Sequence, residues 1–347
     1  MVKMSDAVYK FIYYCVLLCI SSFSTAVSAL ELGVGTHFQS YKETPTVYIE
    51  LLKSYGFTSF RDDYPWSKIE LQPNNYQASK YVKNVDYAFL NAKKNGLSPI
   101  LILDYGNKFY NDGGYPSTDK EILAFSRYAS WTAQRFKGNV KYYEIWNEWT
   151  IGTGMVKFRK AIPSAQVYYK LVKSVSEAIH KVDPNAIIIA GSLNPLDRRA
   201  RYIDKNDWQW FDELVQLGIM NYIDGVSLHT YAFMNGNRTL RTPEGNLEFI
   251  DYFHHYFSEK AGKDVSIYIT ETGVTNYNGP GGMSLTDSAN YIKNYTEGVR
   301  KRPYIKGLWW YDLVNDGANI NNKEHNFGFF MQDLTPKQAA YEIKSLR

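Results

Sequence analysis

Eight short apolar runs recur along this chain at a nearly even spacing, and this rhythm limits the folds that the chain can adopt. The runs begin at Leu32, Phe57, Ser98, Val140, Ala186, Ile223, Val265 and Ile305, about 39 residues apart. Stretches with helical spacing separate them, for example residues 45–55, 82–95, 119–136, 163–182 and 288–302. Strand and helix alternating eight times predict right-handed βαβ units and a parallel sheet.

Eight such units favour an α/β fold with a single closed (β/α)8 TIM barrel, which we expect over residues 30–347. The run 186–190 is apolar at every position, as in a strand buried on both faces. An open doubly wound sheet is the alternative, but no GxGxxG follows the first run. The long connections 104–118, 194–207, 231–246 and 312–326 all follow a predicted strand, where a barrel builds its active face. The connection 194–207 contains the arginines at 198–201, and we interpret these residues as part of a solvated loop.

The N-terminus has the pattern of a secretory signal. Lys3 and Lys10 precede an apolar run at 11–20, and the small residues 27–29 offer a cleavage site after Ala29. We therefore expect a signal peptide over residues 1–29 and an exported protein, periplasmic or secreted, with no membrane attachment after cleavage. A retained anchor is the alternative, although the run is short for a bilayer. Cys15 and Cys19 both lie in this segment, so the mature chain would have no thiol or disulfide.

Charge and composition limit the classes of partner that the chain can bind. The chain has 39 basic and 35 acidic residues, an excess too small to form a phosphate-binding stripe, so we expect no nucleic-acid partner. Aromatic residues make up 16% of the chain. Their flat rings suit the apolar faces of sugars, although large cores use them as well.

The fourth and seventh runs each end in a glutamate, Glu148 and Glu271. Strands four and seven lie on roughly opposite sides of a small barrel, so both carboxylates can reach across its mouth. One protonated and one ionised carboxyl group can cleave a glycosidic bond. Each glutamate also has a structural alternative, since Glu148 could cap the next helix and Glu271 could pair with an arginine. Glu144 could be the acid instead, but we expect it deeper in the barrel, as a buried partner of Arg61 or of another polar group.

Asn147-Glu148 and Glu271 resemble the acid/base and nucleophile pattern of the clan A retaining glycoside hydrolases. The segment 60–70, which contains Arg61, resembles the second strand of that clan, and the sixth-strand His-x-Tyr and eighth-strand Trp-Trp-Tyr segments are also present, at 229–231 and 309–311. Within the clan, the sequence is most similar to family 39 and to related hydrolases encoded beside bacterial exopolysaccharide genes. Trp149 departs from the pattern, because many members have proline there.

The resemblance implies a role for further residues. Arg61 and Tyr231 would stabilise the ionised form of Glu271, Asn147 would donate to the substrate 2-hydroxyl, and His229 would support the pair. An enclosed site would raise the pKa of Glu148, and the two carboxyl groups should lie roughly 5–5.5 Å apart, the retaining separation. The residues expected to contact sugar are His37, Trp66, Asp104, Tyr105, Trp149 and Trp310.

The sequence thus predicts an exported, metal-independent retaining β-glycosidase that needs no cofactor and acts within a β-linked polysaccharide or oligosaccharide, such as a bacterial exopolysaccharide. A non-catalytic glycan-binding barrel in an exopolysaccharide assembly is the alternative, and a metal-assisted hydrolase is a third. Against a metal centre, His254 and His255 are adjacent rather than four residues apart on a helix.

Overall fold

Eight parallel strands close into one barrel in the computed structural model, which describes residues 30–153, 162–197 and 205–346. The predicted signal segment 1–29 and the arginines at 198–201 lie outside these residues. The barrel strands are β1 (Glu31–Gly35), β2 (Ser59–Asp63), β5 (Ile100–Leu103), β6 (Tyr142–Ile145), β7 (Ile187–Leu193), β8 (Gly225–His229), β9 (Ile267–Thr272) and β10 (Ile305–Trp310). Each strand pairs with its neighbours along the chain, and β1 pairs with β10. The predicted (β/α)8 barrel is confirmed.

A short antiparallel hairpin and a set of helices surround the barrel. The hairpin strands β3 (Glu70–Gln72) and β4 (Asn75–Tyr76) follow β2. The α-helices of the described residues are α1 (Pro45–Ser54), α2 (Trp66–Ile69), α3 (Lys83–Asn91), α4 (Asp119–Phe136), α5 (Ala165–Val182), α6 (Asp207–Gln216), α7 (Pro243–Ala261), α8 (Leu285–Arg300) and α9 (Gln338–Ser345). None of them is both long and apolar enough to cross a membrane.

Helix boundaries follow local chemistry. Helix α4 has the predicted bounds because Thr118 and Glu121 form a capping box at its start, in which each side chain accepts from the other residue's backbone N–H. Helix α3 is shorter than predicted. It ends at Asn91 and gives way to a tighter turn over 93–95, which Gly96 closes with a left-handed φ of 71°.

The barrel interior is filled by large side chains at the centre of the molecule. Ile100, Tyr142, Ile189, Tyr268 and Trp309 form one buried cluster there. The indole of Trp309 donates to Ser59 Oγ over 2.8 Å. Its ring lies against two glycines, since a Cβ added at Gly33 or Gly307 would come within 2.2 or 2.3 Å of it. The barrel is therefore a packed core, and catalytic groups must lie above it.

Adding one methyl group at Gly33 is expected to destabilise the fold. In Gly33→Ala the new Cβ would overlap the indole of Trp309, which is completely buried and cannot move aside. Overpacking of this kind costs about 1–3 kcal/mol in the free energy of unfolding. Urea unfolding followed by circular dichroism measures it. Gly236→Ala is the matched control, because a Cβ there meets nothing within 4 Å, and equal stability of the two variants would contradict the expectation.

Candidate active site

The two glutamates meet at the carboxyl ends of the strands, on either side of one histidine. Glu148 lies three residues beyond β6, and Glu271 is the penultimate residue of β9. His229, the last residue of β8, has its Nδ1 3.0 Å from Glu148 Oε1 and 3.5 Å from Glu271 Oε2. The side chains of the two glutamates are 25% and 15% exposed, so both are partly open to solvent. The structure thus brings the two predicted carboxylates together at the barrel mouth.

The backbone after β6 turns sharply to present Glu148. Trp146 and Glu148 adopt left-handed φ angles of 65° and 50°, which residues other than glycine rarely adopt. Such strain concentrates at functional sites. Glu148 precedes the short turn Trp149–Ile151, but its side chain makes no capping hydrogen bond. The structural alternative for Glu148, a helix cap, is therefore not observed.

Arg61 lies at the floor of the site and connects three groups. Its Nε donates to Glu144 Oε2 over 2.7 Å, its Nη1 to Glu271 Oε2 over 3.0 Å, and its Nη2 to Asn147 Oδ1 over 2.8 Å. The guanidinium is almost completely buried. Because a rigid planar fork holds all three acceptors, it fixes Glu271 relative to the strand that carries Glu148.

Glu144 lies beneath the site and is inaccessible to a substrate. Its side chain is 0% exposed, and its second oxygen accepts hydrogen bonds from Ser192, Ser227 and Thr270. Burial opposes its ionisation, but the charges of Arg61 and His229 and the hydrogen bonds from Arg61 and Ser227 together outweigh burial and lower the pKa of Glu144. Glu144 is thus an ionised partner that holds Arg61 in place.

Tyr231 and Asn147 complete the polar surroundings of the carboxylates. The Tyr231 hydroxyl donates to Glu271 Oε1 over 2.7 Å. Burial and the charge of Glu271 raise the pKa of Tyr231 well above its usual value, so this hydroxyl keeps its proton. Asn147 Nδ2 donates to the Tyr105 hydroxyl over 3.0 Å, while its Oδ1 accepts from Arg61. All four residues predicted to support the pair therefore surround it.

The expected raised pKa of Glu148 is corrected by the structure. Burial favours the neutral acid, but the hydrogen bond from His229 and the nearby charges of His229 and Arg61 outweigh burial and lower the pKa of Glu148. The pKa of His229 is shifted in the opposite direction, upward. Burial opposes its protonation, yet the charge of Glu271 and the hydrogen bond to Glu148 raise its pKa. Because these groups interact strongly, their titrations belong to the cluster as a whole.

Three of the aromatic rings expected to contact sugar are instead part of the core, so these predictions are wrong. Trp66, Trp149 and Trp310 are at most 1% exposed. Their indole N–H groups donate inside the protein, to Glu70 Oε2, to the Pro163 carbonyl and to Thr296 Oγ1, respectively. For Trp310 the reason is strand alternation, which turns Trp309 into the barrel and Trp310 outward against α8.

The remaining predicted contacts differ in their access to the mouth. The Asp104 carboxyl group is completely buried, so its prediction as a sugar contact is also wrong; burial and the charge of Asp63 raise its pKa well above the usual value. Tyr105 and His37 are partly exposed. Tyr311, not predicted as a contact, is partly exposed beside Tyr231, with ring centroids 6.5 Å apart. Alternation along β10 could have identified it, since it follows the outward-facing Trp310.

A cavity of about 860 Å³ opens next to Tyr231. Among the described residues its lining includes amide side chains, Asn194 and Asn235, and apolar ones, Phe233 and Met234. Its volume is within the range of small-molecule binding sites. Amides and rings together offer hydrogen bonds and flat apolar surfaces, the combination that a sugar uses.

Known structures share this fold. A family 39 glycoside hydrolase from Bacteroides cellulosilyticus WH2 aligns with a TM-score of 0.71 and 22% identity, over 92% of this chain and 64% of that one. GH5_18 from Streptomyces cattleya aligns with a TM-score of 0.70 and 13% identity, over 91% and 79% of the two chains. Xylanase 10B from Thermotoga maritima aligns with a TM-score of 0.61 and 16% identity, over 92% and 95%. At these identities the similarity concerns the fold alone.

Sequence comparison identifies the family. The 6-phospho-beta-glucosidase AscB of Escherichia coli (strain K12) is 30% identical over 175 residues, which are 46% of this chain and 34% of that protein. The chain therefore spans only about a third of this curated relative. Residues 22–312 match the sequence model of Cellulase (glycosyl hydrolase family 5). The expected clan A assignment thus holds, with the family model being that of family 5 rather than family 39. The chain belongs to the family Cellulase (glycosyl hydrolase family 5).

Proposed function

We propose that this glycoside hydrolase is an exported retaining β-glycosidase that cleaves within β-linked polysaccharide, with Glu271 as nucleophile and Glu148 as acid/base. The observation that carries the proposal is the contact of both carboxylates with the single atom His229 Nδ1, at 3.0 and 3.5 Å. Two oxygens so placed can be no farther apart than the sum of these distances. Carboxyl groups whose facing oxygens share one neighbouring nitrogen are close enough to act on the same glycosidic bond, which supports the shorter, retaining separation.

The proposed reaction has two displacements at the anomeric carbon. A Glu271 oxygen forms a bond to this carbon while the bond to the leaving oxygen breaks, and Glu148 gives that oxygen its proton. A water molecule then attacks the same carbon, Glu148 takes a proton from the water, and the bond to Glu271 breaks. Arg61 and Tyr231 each donate a hydrogen bond to Glu271. These hydrogen bonds stabilise the negative charge that returns to the Glu271 carboxylate when its bond to the anomeric carbon breaks.

The substrate class rests on the shape of the site and on sequence likeness. The cavity beside Tyr231 and the partly exposed rings of Tyr105 and Tyr311 support binding of several sugar units and hence cleavage within a chain. The preference for bacterial exopolysaccharide, with a place beside an exopolysaccharide assembly system, rests on the motifs shared with family 39 and related hydrolases.

Export is proposed from the N-terminal pattern of Lys3, Lys10, the apolar run and Ala29. Expression of the full chain in a Gram-negative bacterium, followed by fractionation and N-terminal sequencing, tests it. Leu30 should be the first residue of the exported protein. Full-length protein retained in the inner membrane would favour an anchor instead.

The activity itself is tested on a panel of β-linked polysaccharides, including bacterial exopolysaccharides. We expect release of reducing ends with internal cleavage products by mass spectrometry. NMR should show the β-anomer first, because two inversions restore the configuration. An α-anomer as first product would contradict the retaining mechanism. Binding of saccharide without cleavage would favour the glycan-binding alternative.

The contact between His229 and Glu148 predicts a pH effect. Burial raises the pKa of Glu148, but the hydrogen bond and charge of His229, together with Arg61 and Thr153, outweigh burial and lower it. In His229→Leu we therefore expect this pKa to rise, so Glu148 stays protonated to higher pH. The alkaline limb of kcat/KM should move upward. His254→Gln is the control, because His254 pairs with Asp264 at the surface; a downward shift in His229→Leu would contradict the assignment.

A further inference from the structure

A second group of potential ligands lies at the barrel mouth, apart from the two catalytic candidates. His37, just beyond β1, has its Nε2 3.8 Å from Asp312 Oδ2 and 3.9 Å from Asp316 Oδ1. All three ligand atoms lie within 4.8 Å of one another. Both aspartates belong to the loop that follows β10, so the group joins the end of β1 to this loop.

Asp312 and His37 bring to this group buried polar atoms that have no hydrogen bonds within the described part of the chain. Neither carboxylate oxygen of Asp312 accepts one from any described residue, although its side chain is only 1% exposed. His37 Nε2 is likewise buried with no such partner in the described ranges. Lys337 is a nearby cation, but its ammonium donates to Asn276, Asn315 and the Asn326 carbonyl. A buried carboxylate in this position is costly unless it takes up a proton or a positive charge lies next to it.

The types and spacing of the ligand atoms identify that charge. One imidazole nitrogen with two carboxylate oxygens is a donor set of Zn²⁺ and similar transition-metal dications, and three protein ligands leave a position for water. Ligands at 2.0–2.2 Å from such an ion are about 3.4 Å apart. The distances of 3.8 and 3.9 Å from His37 exceed this separation by a few tenths of an ångström, and the two aspartate oxygens lie within 4.8 Å of each other, so modest side-chain movements bring all three ligands to one ion.

Asp316 is also held in position from outside the group. The Tyr311 hydroxyl donates to its other oxygen, Oδ2, over 3.0 Å, which leaves Oδ1 directed at His37. Hydrogen bonds of this kind orient carboxylate ligands in metal sites. His37 and Asp316 are 33% and 35% exposed, so an ion can enter from the mouth.

We propose that His37 Nε2, Asp312 Oδ2 and Asp316 Oδ1 bind one divalent transition-metal cation. The ion fastens the loop after β10 to the end of β1 and so fixes Tyr311, whose ring lies 5.9 Å from His37 and 6.5 Å from Tyr231. It takes no part in the two displacements. Sequence spacing does not reveal this group, because Asp316 lies in a loop and the spacing of loop residues does not show which side chains they face.

Calorimetric titration of the chelator-washed full chain with Zn²⁺ tests this site. Because Cys15 and Cys19 could also bind zinc, the titration uses the chain with both replaced by serine. We expect one ion per chain, with affinity lowered at least tenfold in Asp316→Asn and in His37→Gln. The temperature of unfolding should rise with Zn²⁺ in the parent chain and in neither variant. Circular dichroism verifies that the variants fold.

The control is the double variant His254→Gln, His255→Gln, which removes the adjacent histidines at the surface and should bind as the parent does. Absence of one-to-one binding, or binding that survives both Asp316→Asn and His37→Gln, would overturn the proposal. The group would then be satisfied by water or a sugar hydroxyl. The rate of glycoside hydrolysis by the chelator-washed protein is measured in a separate assay. Failure of zinc binding leaves the proposed glycosidase mechanism intact, and absence of hydrolysis leaves the cation site intact.

Discussion

Replacing Glu271 with glutamine is expected to lower kcat for hydrolysis of any substrate by about 10⁴-fold or more. The amide cannot form the covalent bond to the anomeric carbon, and it presents an N–H group toward either Arg61 or Tyr231, both of which now donate to the carboxylate. The measurement is the initial rate on the best substrate of the panel, at saturating concentration. Glu259→Gln, on the exposed face of α7, should retain the parent rate.

A variant with a smaller side chain at position 271 distinguishes loss of the nucleophile from loss of the fold. In Glu271→Gly, azide ion can occupy the space of the carboxylate and attack the anomeric carbon of an activated β-glycoside. Only one inversion then takes place, so the product should be the α-glycosyl azide. Rescue that yields the β-azide would assign the missing carboxylate to the acid/base role. Parent-like activity of Glu271→Gln would remove Glu271 from the mechanism altogether.

Replacing Glu148 with glutamine should lower kcat/KM by about 10²–10⁴-fold for substrates whose leaving group needs a proton. For an aryl β-glycoside with an acidic phenol, which leaves without a proton, the first displacement should be nearly unaffected. The second displacement still needs a base. The glycosyl-enzyme should therefore accumulate, and KM should fall together with kcat.

The comparison of leaving groups is an internal control, because a folding defect would lower both rates equally. Azide should accelerate the Glu148→Gln variant by attacking the glycosyl-enzyme without a base, and the product should be the β-glycosyl azide. Equal losses for the two kinds of substrate, with no azide effect, would contradict the acid/base assignment of Glu148.

The fold could be predicted because the strands of a closed parallel barrel are buried on both faces and read as continuous apolar runs. Residues 186–190 show this clearly. The positions of Glu148 and Glu271 followed from the same geometry, since side chains at the ends of parallel strands share one rim. Glu144 was expected to be a buried partner of Arg61 or of another polar group, and the 2.7 Å contact identifies Arg61 as that partner.

The sugar-contacting rings could not be predicted with equal success. The exposure of an aromatic ring depends on whether its side chain points into the barrel, outward against a helix, or into the mouth. Trp309 points into the barrel and Trp310 points outward, so Tyr311 is the first ring of that segment to reach the mouth. The pKa of Glu148 was predicted in the wrong direction for a similar reason. Its sign depends on the 3.0 Å contact with His229, a distance that sequence spacing does not contain.

The three-way connection made by Arg61 has a consequence for how such an enzyme can diversify. Its donors reach Glu144 beneath, and Glu271 and Asn147 above, so the reactive carboxylate is oriented entirely by residues of the strands and their immediate ends. Tyr231, two residues beyond β8, adds a second hydrogen bond to Glu271, and the long connection continues beyond it. Evolution or an engineer can therefore replace segments such as 232–246 or 317–326 to admit a different sugar while the bond-breaking apparatus is inherited unchanged.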